Sequence, residues 1–156
     1  MNQHGWRDYI ADAEMAWFRV FDAGKPTKLK MPDGAPLTLM PPRFDARQKI
    51  YAFFRRWWGP RFASNMLNNL PLHEHGGRLC MIAYDFPPIS MTPTAVSLEG
   101  REGDAYHLHA TLCGGLPEEH VDYLIVRNQL NHRMMITRRS QAEADFRYQS
   151  CPRAEE

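Results

Sequence analysis

The chain has 156 residues, enough for one domain with a real core, and 44% hydrophobic against 24% charged residues excludes a disordered chain. A net charge of only +1 means that bulk charge does not announce a nucleic-acid binder. No apolar run approaches the roughly 18 residues of a membrane span, no basic-then-apolar leader opens the chain, and Cys80, Cys113 and Cys151 lack metal-type spacing. A cytoplasmic protein whose cysteines pack rather than ligate is therefore expected.

In chain order, Trp6, Tyr9, Ile10, Ala13, Trp17, Val20 and Phe21 recur at helical spacing and predict an amphipathic helix over 6–22, ended by Gly24-Lys25-Pro26. Pro32-Asp33-Gly34 is a turn, and Pro36-Leu37-Thr38-Leu39-Met40 a short β-prone run stopped by Pro41-Pro42. Asp45 caps an expected helix to about Trp58, halted by Gly59-Pro60. A second helical piece over 61–70 precedes a loop at His73-Glu74-His75-Gly76-Gly77. Residues 78–86 read as a buried strand, 87–93 as a connector and 94–113 as a hairpin. Gly114-Gly115 breaks the hairpin, and Pro117 opens an expected helix carrying Val121, Leu124, Ile125 and Leu130. Met134 to Thr137 reads as a strand, and Ser140 as the cap of a short helix to about Ser150. The expectation is an α+β fold: one domain, 1–156, with a central antiparallel sheet flanked by helices, residues 1–30 being an N-terminal helix and connector.

The hairpin is the most informative stretch. Residues i and i+2 of a strand share a face, so His107 and His109 project together and Leu108 points away. Glu99 on the preceding strand makes a third candidate ligand, and two imidazoles with a carboxylate suit a divalent cation. The plainer reading is a half-exposed strand face carrying two histidines and no ligand. Arg47, Lys49, Arg55, Arg56 and Arg61 surround apolar residues Ile50, Phe53, Phe54 and Trp57 at core-like helical spacing. Those cations face solvent, or they pair with phosphates of a single strand whose bases stack on nearby aromatics. His73-Glu74-His75, in a Pro/Gly loop, is read as incidental, and His120 and His132 as helical residues that are structural or exposed. His109-Ala110-Thr111-Leu112 also matches half of a 2H phosphoesterase signature, with no second copy.

Leu37-Thr38-Leu39, then His107-Leu108-His109-Ala110-Thr111-Leu112, then Tyr148 in a late segment together resemble the HUH endonucleases, the rolling-circle replication initiators and relaxases. The resemblance spans residues 36–150. It implies a Rep-like core, Mg²⁺ or Mn²⁺ held by Glu99, His107 and His109, and Tyr148 as a nucleophile that nicks and rejoins single-stranded DNA. Such activity would serve replication of a plasmid, phage or mobile element. Tyr123 is the rival nucleophile. The lysine that follows the family's tyrosine has no counterpart after Tyr148. The alternative is a non-catalytic DNA- or protein-binding accessory or inhibitory protein on the same fold. A third option is a metal-binding protein with no link to nucleic acid.

Overall fold

The N-terminal helix α1, Gln3–Phe21, starts where the Asn2 side chain accepts the Gly5 N–H at 2.9 Å. Its Trp6, Ile10, Ala13, Trp17 and Val20 form one buried stripe. The computed structural model describes residues 1–83, 90–114 and 117–150. The first residues of the connector expected at 87–93, the end of the strand expected over 78–86, and Cys151 fall outside the described residues.

The α+β class holds, with antiparallel strands. They divide between two four-stranded sheets where one central sheet was expected. The first sheet has β1 (Lys25–Lys30), β2 (Pro36–Leu39), β3 (Leu72–His75) and β4 (Arg78–Ile82), in the order β1-β2-β4-β3. Between β2 and β3 lie α2 (Arg47–Phe54) and α3 (Pro60–Asn68). The second sheet is a meander of β5 (Thr92–Glu102), β6 (Ala105–Cys113), β7 (Glu119–Arg127) and β8 (Met134–Arg139). Two 3₁₀ turns, Ala142–Ala144 and Phe146–Tyr148, follow it.

Helix α1 packs on the inner face of the second sheet. Val96, Tyr106, Leu108, Ala110, Leu112, Val121, Tyr123, Ile125 and Ile136 are buried there, and the Trp6 and Tyr106 rings sit 5.2 Å apart. The α2–α3 connector docks onto the β8 edge: Ile136 N–H donates to the Trp57 carbonyl at 2.7 Å and Gly59 N–H to the Ile136 carbonyl at 2.8 Å. Trp58 is fully buried, and its indole N–H donates to the Ala13 carbonyl at 2.9 Å. One side chain thus ties the connector to α1.

Four sequence expectations are corrected. The helix expected from Pro117 is strand β7, because Val121, Tyr123 and Ile125 alternate inward while His120 and Asp122 face out. His120 therefore lies on a strand, and His132 in a turn with φ 58°. The loop at His73-Glu74-His75 is strand β3, paired with β4 through His73–Cys80 and His75–Arg78. Asp45 does not cap α2; it pairs with Lys49 at 2.7 Å, and Ala46 stands at the cap with no side-chain bond. The helix expected from Ser140 is broken by Gln141 at φ 59°, a left-handed residue that no helix continues through, so Tyr148 sits on a 3₁₀ turn.

Candidate functional site

Alternation along β6 buries Tyr106, Leu108, Ala110 and Leu112 and turns His107, His109 and Thr111 outward. On β7 the residues opposite His107, His109 and Thr111 are Leu124, Asp122 and His120. The outer face therefore carries a row of polar groups in contact. His109 Nδ1 lies 2.8 Å from an Asp122 carboxylate oxygen, and His109 Nε2 lies 3.4 Å from His120 Nδ1. Thr111 Oγ1 is also 3.4 Å from His120 Nδ1, and His120 Nε2 is 3.5 Å from the Glu118 carboxylate. The two imidazoles lie with their planes 16° apart and centroids at 5.5 Å. Backbone bonds fix the row: Asp122 N–H donates to Ser140 Oγ at 2.8 Å, and Ser140 N–H to the Asp122 carbonyl at 2.9 Å.

Glu99 does not join this row. A bulge between Leu98 and Gly100 interrupts pairing at its position, and its carboxylate accepts the Ser97 hydroxyl at 2.6 Å. Ser97, not Glu99, is the β5 residue opposite His109. His107 lies along an open groove of about 710 Å³ with Arg61, Asp122, Arg138 and Tyr148. The set Glu99, His107 and His109 is thus not assembled as three converging ligands. Among the described residues no group of three or more His, Cys, Asp and Glu is placed to hold a metal ion. His120 and Asp122 were missed because 117–130 was read with a helical period; the two-residue alternation of Val121, Tyr123 and Ile125 was the signal.

Tyr148 belongs to a different constellation. Glu14, on the buried stripe of α1, is wholly inaccessible. One of its carboxylate oxygens accepts the Tyr123 hydroxyl at 2.6 Å and Arg139 Nε at 2.7 Å. The other accepts Arg147 Nη2 and the Tyr148 hydroxyl, both at 2.8 Å. Arg147 also donates to Asp145, at 3.0 Å through Nε and 2.8 Å through Nη2. Two guanidiniums thus face two carboxylates. Burial alone would raise the Glu14 carboxyl; Arg139 and Arg147 outweigh it and hold the group at about 2. Burial drives both phenols, Tyr148 and Tyr123, well above their ordinary value. The Tyr148 ring packs 4.6 Å from Trp58 and is 2% exposed. Each phenol keeps its proton and spends it on Glu14, so neither hydroxyl is presented to a substrate.

The five cations singled out from the sequence scatter. Arg47 pairs with Glu74 at 3.1 Å, and Lys49 with Asp45. Arg55 is half-buried, its Nε without a hydrogen-bond partner among the described residues. Arg61 is on the 710 Å³ groove. Arg56 lies over the rings of Phe53, at 5.7 Å, and Trp57, at 5.1 Å. Lys49 and Arg56 meet again in a second groove, of about 650 Å³, with Arg19, Arg43, Phe44 and Phe53. Arg43 stands over the Phe44 ring at 5.0 Å. Among the described residues neither Arg43 nor Arg56 has a carboxylate partner, whereas Arg19 pairs with Asp12 at 3.1 Å. The sequence reading missed Arg19 and Arg43 because they flank the basic segment and join it only in space.

No family model matches the chain, and no curated protein matches it. No helix among the described residues is long and apolar enough to cross a membrane.

Proposed function

We propose that the protein binds single-stranded DNA without cleaving it, through the groove lined by Arg43, Lys49 and Arg56. The observation that carries this reading is the pair of exposed guanidiniums, Arg43 and Arg56, each lying over aromatic rings and free of any carboxylate among the described residues. A guanidinium held on a ring loses little entropy when it meets a phosphate, and its outer face stacks on a base. The half-buried Phe53 adds an apolar platform in the same groove. Tyrosine-dependent strand transfer is disfavoured by the burial of Tyr148 and the bond of its hydroxyl to Glu14.

The test is fluorescence anisotropy with a labelled single-stranded oligonucleotide pool over a series of salt concentrations. Wild type is expected to bind with a clear salt dependence. The double variant Arg43→Ala/Arg56→Ala is expected to bind about tenfold or more weakly, with the log–log salt slope reduced by about 1.4, for two phosphate contacts on a single strand. Equal affinity of the variant, or no binding by wild type at low salt, would sink the proposal.

A further inference from the structure

The His109–His120 contact holds two imidazole nitrogens of adjacent strands where they can share a proton or a cation. Carboxylates only accept hydrogen bonds at neutral pH, so the Asp122 carboxylate fixes the proton of His109 on Nδ1. The Glu118 carboxylate lies 3.5 Å from His120 Nε2, an ion-pair distance and not a hydrogen bond. His109 Nε2 then carries a lone pair, and His120 Nδ1 faces it at 3.4 Å, donating a hydrogen bond to it in one neutral tautomer and presenting a second lone pair in the other. In the second tautomer both lone pairs are open to one cation. Two imidazole nitrogens bound to one tetrahedral ion at about 2.0–2.1 Å are also about 3.4 Å apart. Each inner nitrogen therefore stands where a shared ion would hold it.

We propose that His109 Nε2 and His120 Nδ1 bind one borderline transition-metal dication of the Zn²⁺, Ni²⁺ or Cu²⁺ class. The outer nitrogens supply the supporting pattern: a metal-bound histidine donates its other N–H to a carboxylate, which fixes the tautomer and strengthens the ligand. Here Asp122 holds that place for His109 at 2.8 Å, and Glu118 stands 3.5 Å from the outer nitrogen of His120. Thr111 Oγ1, 3.4 Å from His120 Nδ1, stands beside the ion, and water completes the coordination. Nitrogen ligands select against Mg²⁺ and Ca²⁺, which prefer oxygen. The ligand set differs from the one expected from the sequence: it omits His107 and Glu99 and adds His120. It is independent of the DNA-binding reading, since the basic groove shares no residue with it.

The test is isothermal titration of the full chain with ZnCl₂, NiCl₂ and CuCl₂ in excess Mg²⁺, with Cu²⁺ electron paramagnetic resonance as a second readout. Wild type is expected to take up one equivalent with micromolar affinity and a spectrum of nitrogen ligation. His109→Ala and His120→Ala are each expected to weaken binding at least tenfold, and Asp122→Asn about tenfold. His107→Ala, Glu99→Gln and the double variant His73→Ala/His75→Ala are expected to stay within twofold of wild type. Circular dichroism of each variant checks folding; the substituted side chains are not part of the core, so native spectra are expected. Binding no tighter than millimolar in wild type overturns the proposal and leaves a shared proton between the rings. Binding that survives both His109→Ala and His120→Ala, or that is lost on changing His107, Glu99 or the β3 pair, overturns it equally.

Discussion

Replacing Glu14 by Gln tests the buried cluster with little change in shape. The carboxylate accepts four hydrogen bonds, from Tyr123, Arg139, Arg147 and Tyr148. An amide keeps one acceptor oxygen and turns the other position into a donor, which then faces two donors. Arg139 and Arg147, with side chains 1% and 3% exposed, are left with Asp145 as their sole carboxylate partner among the described residues. Removing one partner of a buried ion pair costs about 3–5 kcal/mol. Proton linkage gives a second value: a carboxyl held at about 2 in the fold against 4.5 unperturbed contributes about 3 kcal/mol. Because folding lowers this group, its stabilisation is full above the unfolded value of 4.5 and is lost as pH falls through about 2. Glu14→Gln is therefore expected to lower Tm by about 10–15 °C at neutral pH and to flatten the acid limb of the stability curve. Calorimetry at a series of pH values between 7 and about 2 reads both. A drop of less than about 3 °C with an unchanged acid limb would refute the reasoning, because neither the ion pairs nor the lowered carboxyl would then be contributing.

Trp58→Ala removes a fully buried indole that bonds to Ala13 and packs on Tyr148; a loss of about 3–5 kcal/mol is expected in chemical denaturation. Tyr148→Phe deletes one of the four donors to Glu14, so a loss of about 1–3 kcal/mol is expected with DNA affinity unchanged within twofold. On a denaturing gel with Mn²⁺ and single-stranded oligonucleotides, wild type is expected to give no covalent adduct; a band that disappears in Tyr148→Phe would restore the strand-transfer reading.

Local pattern was enough where a contact is local. The apolar stripe of α1 and strand β6 were legible because their periods, 3.6 and 2, run uninterrupted over many residues, whereas bulges break the alternation of β5. The outward pairing of His107 and His109 followed from the same alternation. β7 was misread because Leu124 and Ile125 fall at helical distance from Val121, yet Val121, Tyr123 and Ile125 also fit a strand, and only pairing with β6 decides between them. Glu14 left a readable trace. It stands four residues after Ile10 and three before Trp17, on the apolar stripe, where a charge demands a partner. What no local pattern holds is the identity of those partners, since Tyr123, Arg139, Arg147 and Tyr148 lie 109 to 134 residues further along the chain. Thr38, read as part of a motif, turns out to serve the first sheet: its hydroxyl donates to the Met81 carbonyl at 3.4 Å, and its side chain fills the space a Cβ on Gly24 would need.

The same cluster decides where chemistry is available on this molecule. Bringing the Tyr148 hydroxyl to solvent would break its bond to a buried carboxylate and expose a ring packed against Trp58 and Phe62. The exposure alone costs about 2–3 kcal/mol, and the bond to a charged group about as much again. A conformer that far above the ground state holds well under about one molecule in a hundred, and its phenol would still carry a proton at pH 7. Nothing comparable restrains the outer face, where His107, His109, His120 and Asp122 stand on rigid paired strands with solvent above them. Nor does it restrain Arg43 and Arg56, whose exposed guanidiniums rest on aromatic rings. Burial thus makes Tyr148 a strut between α1 and the C-terminal turns, and leaves ligand recognition to groups the fold holds rigid but accessible.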